Sequence, residues 1–277
     1  LWPHEYNEVY EAYDRIFDCR GHGWSNLQST HINLPFGTDE EFGWLHAAIR
    51  LLLPIMPALS ASSPIIELKT TGLLDTRLEF YRTNQRKIPS LTGDVIPEPV
   101  FTRRDYEREI LERTWRDIAP YDPDGILQGE EFLNSRGAIA RFSRGAIEIR
   151  VLDIQECPAA DLAIAQAIVA VLRALTNEEV ASFAEQKKWE VASLRDIFLG
   201  CVAEAGDYVI RDRDYLRLFG QEGKECAARE LWRGLVERHA GKLLSPGSPM
   251  DMILNKGALA RRILAVLDGD LSKERVK

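Results

Sequence analysis

A chain of 277 residues with 45% hydrophobic and 28% charged side chains has the makeup of a folded globular protein and is long enough for one sizeable core. Its formal net charge of -8 speaks against general affinity for nucleic acid or anionic lipid, and is compatible with a site that collects divalent cations. No stretch reaches the roughly 18 uninterrupted apolar residues that span a bilayer, since the best candidate, residues 44–61, is broken by His46 and Arg50.

Residues 5–19 place Tyr6, Val9, Tyr10, Tyr13, Ile16 and Phe17 at helical spacing, which predicts an amphipathic helix. After the glycines at 21 and 23, residues 26–36 read as a strand with Leu27, Ser29, His31 and Asn33 on one face. Thr38 with Glu41 forms a capping box for a helix running to about Pro57. Residues 60–64 read as a loop of small residues, and 75–99, rich in Arg and Pro, as a long functional loop. An amphipathic helix is expected over 104–118. Strands follow at 137–142 and 146–153, joined by the Ser143-Arg144-Gly145 turn. Pro158 opens a helix to Leu175 that is apolar nearly all round and so expected in the core. Thr176 with Glu179 caps the next helix, and the remainder to 277 reads as mostly helical. Strands interleaved with helices without regular alternation give an α+β fold in a single catalytic-sized domain over 1–277.

Two segments carry chemistry. In the 146–153 strand Glu148 and Arg150 share a face while Ile147, Ile149 and Val151 point to a core. A carboxylate and a guanidinium on an inner face suit a site where one holds a metal ion and the other grips phosphate. A plain salt bridge on a solvated sheet face explains the same pattern and is the commoner case. His31 and Asn33 likewise share a face, where an imidazole ligates metal or simply hydrogen-bonds a neighbour.

Together the segments resemble the glutamate–cysteine ligase family, closest to its bacterial type 2 branch of carboxylate–amine ligases. The resemblance rests on His31-Ile32-Asn33, then Ser62-Ser63-Pro64, then Asp75-Thr76-Arg77 with Arg82, then Gly145 to Asp153 with its Glu148-Ile149-Arg150 core. It covers about residues 25–175 in order, with 176–277 matching only as a helical C-terminal part. It implies a glutamine-synthetase-like catalytic domain, with a largely antiparallel sheet and packed helices. It also implies an ATP-dependent ligase that activates the side-chain carboxylate of glutamate as an acyl phosphate and joins it to an amine such as cysteine, with ATP and Mg2+ bound. By position, Glu148 and His31 would ligate magnesium, Arg150 would contact the transferred phosphoryl group, and Asn33 would lie beside His31. Arg82, then Arg77, would bind a substrate carboxylate or phosphate, with Arg136 and Arg141 as further candidates.

The resemblance also implies a first strand with paired glutamates, roughly Gly-x-Glu-x-Glu, and none occurs here, since Glu40-Glu41 falls at a helix start. Many type 2 members carry a second histidine where this chain has Asn33. The chain opens on Leu1 rather than Met, which points to a start upstream, and a non-catalytic nucleotide- or amino-acid-binding relative is the alternative reading. The four cysteines, Cys19, Cys157, Cys201 and Cys226, form no C-x-x-C pair, and no signal-peptide layout opens the chain, so reduced thiols in the cytoplasm are expected. His4, His22 and His239 read as surface groups, and His46 as packed or half exposed. No Walker or Rossmann glycine loop is present, and Ser29, Ser62 and Ser63 have no partnered base. The expected partners are therefore small molecules, not nucleic acid or membrane, with self-association left open.

Overall fold

The structure, a computed structural model, describes residues 7–24 and 26–276. His4, Glu5, Tyr6 and Ser25 of the sequence reading lie outside them. Helix α1 spans Asn7–Phe17 and buries Val9, Ala12 and Ile16. Strand β1, Ser29–Pro35, leads into α2, Asp39–Leu52. The predicted Thr38–Glu41 capping box is present there, with both reciprocal bonds made. The helix ends at Leu52, short of Pro57. Pro54 and Pro57 supply no N–H, so the chain tightens into a 3-10 turn at Leu53–Ile55 and a single turn at Pro57–Ser60.

The 75–99 segment is not a loop throughout. The Asp75 side chain caps α3, Thr76–Thr83, by accepting from Leu78 N, and a 3-10 turn follows at Pro89–Leu91. Helix α4 runs over 103–118 with a π-helical stretch at Glu107–Leu111. Strand β2 is Ala138–Arg141 and β3 is Ala146–Asp153. The turn between them needs a left-handed residue, and Gly145 supplies it with φ 58°.

The three strands form one antiparallel sheet in the order β1-β3-β2, so the fold is α+β. Asn33 and Ile139 flank Glu148 from either side, and Arg141 pairs with Ala146. The register of β1 on β3 shifts between Thr30 and Ile32, so Arg150 and Val151 together face His31. Such a bulge re-aims side chains locally. Ile147, Ile149 and Val151 are fully buried on the inner face.

Behind them lies α5, Pro158–Thr176, with Pro158 in its first turn. It is the one described helix long and apolar enough to cross a membrane. Ala167, Ile168 and Val171 are buried in the main core, but Leu162 is 62% exposed, so the helix is not enclosed all round. Thr176 does not cap the next helix. It lies in the last turn of α5, where its Oγ1 donates to Arg173 O, and the capping box downstream is Ser182 with Glu185. Helices α6, Val191–Glu204, and α7, Ala228–Ala240, close the main core, with the Trp232 indole donating to Ile55 O at 2.6 Å. A smaller core joins α1 to Ile88, Leu91, Ile118, Leu127 and Leu133, and this holds α1 against the outer side of the sheet.

Candidate functional site

Glu148 sits at the centre of the sheet's outer face with 6% of its surface exposed. His31 Nδ1 lies 3.1 Å from Oε1, Arg150 Nε donates to Oε1 at 2.8 Å, and Arg141 Nη1 donates to Oε2 at 3.3 Å. The hydrogen bond from His31 comes first among the causes that hold the Glu148 carboxyl down at about 2, with Arg150 adding to it and burial opposing. Ser29 Oγ lies 2.9 Å from His31 Nε2. A ring donating from Nδ1 to Glu148 leaves Nε2 to accept from that hydroxyl. Asn33 faces Glu148 across the register but is exposed, on the solvent side of the cluster.

A second cluster lies at the end of β3. Asp153, 2% exposed, accepts from Ser62 N at 2.9 Å, Ser62 Oγ at 3.3 Å, Ser63 Oγ at 2.8 Å and from Arg77 Nε. Ser63 Oγ in turn accepts from Arg77 N at 3.0 Å. The small-residue turn, the start of α3 and the end of β3 are thereby tied into one buried knot. Its serines work as donors to a carboxylate, which is why no base accompanies them. Burial, followed by the Asp153 charge, raises the Asp75 carboxyl well above its ordinary range.

Between these clusters and α1 opens a cavity of about 960 Å³. Arg77, Arg141, Arg144 and Arg150 line it, with Tyr13 of α1 and Tyr81 of α3. The Tyr81 hydroxyl donates to Arg136 O at 2.9 Å. Arg77 is 4% exposed and among the described residues its Nη2 makes no hydrogen bond, while Arg141 Nε lies 3.5 Å from Glu131 Oε2. Four guanidinium groups lining one cavity fit an anionic ligand such as a carboxylate or phosphate.

Of the residues singled out from sequence, the fold brings His31, Asn33, Arg141, Glu148 and Arg150 to one sheet face, with Arg77 at the adjoining wall. It does not bring Arg82 or Arg136 there. Arg82 lies on the outer flank of α3, paired with Glu79 at 3.0 and 2.6 Å. Arg136, 1% exposed, spends its guanidinium on Glu98, Ser90 O and Asn134 Oδ1 inside the protein. Sequence reasoning gave no role to Asp153, Tyr81, Arg144, Glu130 or Tyr13. Asp153 stood inside the quoted strand motif, and Tyr81 follows Arg77 by one helical turn, a spacing that becomes visible once 75–83 is read as a helix.

Among the described residues no three His, Cys, Asp or Glu side chains gather to hold a metal ion. Glu148 and His31 alone, with two guanidinium groups already on the carboxylate, do not fit magnesium, which takes an octahedral set of oxygens.

The sequence model described as glutamate–cysteine ligase family 2 (GCS2) matches residues 2–273. An uncharacterized protein of Archaeoglobus fulgidus is 42% identical over 178 residues, which is 64% of this chain and 48% of that protein. The chain thus spans about half the length of the curated relative it matches.

Proposed function

We propose, from the premise that this chain belongs to the glutamate–cysteine ligase family 2, that it is an ATP-dependent carboxylate–amine ligase. The substrates in this reading are ATP, the side-chain carboxylate of glutamate and an amine such as cysteine. A carboxylate is a poor electrophile, and the phosphoryl group of ATP converts it to an acyl phosphate whose leaving group is good. The amine then forms the C–N bond, the C–O bond to phosphate breaks, and the amine's proton goes to solvent. The protein's work in such a reaction is positioning and neutralising charge.

The observation that carries the reading is the arginine-lined cavity beside the Glu148 cluster. Glu148, ionised down to about pH 2, fixes Arg141 and Arg150 at the cavity edge. Those two guanidinium groups and Arg144 are suited to hold the phosphate and carboxylate oxygens. Arg77, braced by Asp153, adds positive charge at the wall.

The sparse metal-donor set among the described residues favours a second reading, a family relative that binds nucleotide or amino acid without turnover. One experiment separates them. Hydroxylamine traps acyl phosphates as hydroxamates, so the protein is incubated with ATP, magnesium, glutamate and hydroxylamine. Hydroxamate that forms only when ATP and glutamate are both present supports the ligase. Calorimetric binding of ATP with no hydroxamate supports the second reading and overturns the first.

A further inference from the structure

A serine hydroxyl becomes a nucleophile when a base takes its proton and a third group fixes that base. Ser62 and Ser63 have no such base, since both donate to Asp153. Ser29 differs from them. Its Oγ lies 2.9 Å from His31 Nε2, and His31 Nδ1 lies 3.1 Å from Glu148 Oε1. The hydrogen bond from His31, then Arg150, keeps Glu148 ionised, so the carboxylate only accepts and the ring proton belongs on Nδ1. Nε2 is then the acceptor for the Ser29 hydroxyl. Arg150 Nε at 2.8 Å and Arg141 Nη1 at 3.3 Å hold the two Glu148 oxygens, so the group that orients the ring is itself fixed. Ser29 and His31 share a face of β1 by strand period, but Glu148 joins them only through the pairing of β1 with β3. That is why the sequence reading found no base partnered to Ser29. The two residues expected to ligate magnesium stand instead as two members of a Ser–His–Glu chain. Ser29 lines the cavity together with Arg141, Arg144 and Arg150.

We propose that Ser29, His31 and Glu148 form a nucleophilic triad that hydrolyses esters whose acyl part carries a second carboxylate. This activity goes beyond the ligase reading and uses no ATP. Ser29 Oγ bonds the acyl carbon while its proton passes to His31 Nε2. The ester C–O bond breaks, and the alcohol leaves with that proton. Water then attacks the acyl–serine ester, giving a proton to His31. The bond from the acyl carbon to Oγ breaks, Oγ recovers the proton, and the free acid departs. Glu148 is a positioning residue that holds the ring in the tautomer the step needs and offsets the imidazolium charge. The cavity arginines meet the second carboxylate and the oxyanion that develops on the acyl oxygen.

The test uses mono-4-nitrophenyl terephthalate as probe, with 4-nitrophenyl benzoate as its uncharged counterpart. The protein should release 4-nitrophenolate faster than buffer alone, and should favour the charged ester by about tenfold in kcat/KM, as one charge-assisted contact predicts. A fluorophosphonate bonds an activated serine oxygen, expels fluoride and does not turn over. It should label Ser29 in the unaltered protein, located by peptide mass spectrometry. Ser29→Ala and His31→Gln, shown folded by circular dichroism, should each lower kcat about 100-fold or more. Glu148→Gln should do the same, and Glu148→Asp, which keeps the charge, should recover part of the loss. No hydrolysis above the buffer rate, a label absent from Ser29, equal rates with the two esters, or a kcat unchanged in Ser29→Ala or Glu148→Gln would overturn the proposal. Failure of the ligase reading shows separately, as no hydroxamate from ATP and glutamate, since the ester measurements contain neither.

Discussion

His46 of α2 is fully buried among Phe42, Phe101 and Tyr106. Burial first, then the nearby Arg50 charge, pushes its pKa down from 6.5 to about 3. The sign follows from proton counting. Between pH 6.5 and 3 the unfolded chain holds a proton on His46 that the folded chain does not, so this residue's contribution to stability is lost as pH falls through that window. Its share between pH 7 and 5 is about 2 kcal/mol. Urea unfolding of His46→Phe at both pH values should show a stability drop smaller than that of the unaltered protein by about that amount. An equal drop in both would mean that His46 takes up its proton while folded. Asp153 and Arg77 illustrate the same physics with opposite charges. Removing one partner strands the other in a dry site, so Arg77→Met should destabilise by about 3 kcal/mol. The double variant with Asp153→Leu should recover part of this, and chemical denaturation of the three proteins measures it.

Elements were legible where local chemistry decides them. Strand β3 was legible because Ile147, Ile149 and Val151, all buried in the core, alternate with Glu148 and Arg150, and a period of two marks a strand. The Thr38–Glu41 box and Pro158 set their helix starts for equally local reasons. Thr176–Glu179 carries the same capping pattern and fails, because α5 continues through Thr176 on its core contacts and the true box comes later at Ser182. The 75–83 helix was hidden since only Leu78 of its three buried residues, Thr76, Arg77 and Leu78, is apolar, and Arg77 is held by a distant Asp153 that no hydrophobic period reports. Cap variants check this directly: Thr38→Ala should lower stability by about 1 kcal/mol, whereas Thr176→Ala should stay within about 0.5 kcal/mol. Comparable losses in both, read by thermal unfolding, would show that Thr176 has a capping role.

At the scale of the whole molecule, the site lies where two cores meet. The main core carries the sheet with its Glu148 cluster, and the smaller one carries α1 with Tyr13. His31, Glu148 and Arg150 were readable as candidates because their strands have a strict period, and family resemblance gave them a common purpose. The cavity wall was not readable. Arg144, Glu130 and Tyr13 come from separate segments and meet only through packing, while Arg136, equally prominent in sequence, is consumed by Glu98. A ligand bridging the two halves should stabilise both. ATP at about 100 times its Kd should add roughly 2.7 kcal/mol, seen as a raised Tm.

In the proposed ligase the reacting groups gather at the cavity edge around Arg150. The most direct test compares initial rates of ADP release, with glutamate and hydroxylamine supplied, for Arg150→Met and Arg82→Met. Arg150→Met should lose about 100-fold or more, the scale of removing a donor to developing charge. Arg82→Met should stay within about threefold of the unaltered protein, since Arg82 pairs with Glu79 on the outer flank of α3. An Arg150→Met protein that remains folded and keeps its rate, or an Arg82→Met protein that loses as much, would contradict this arrangement.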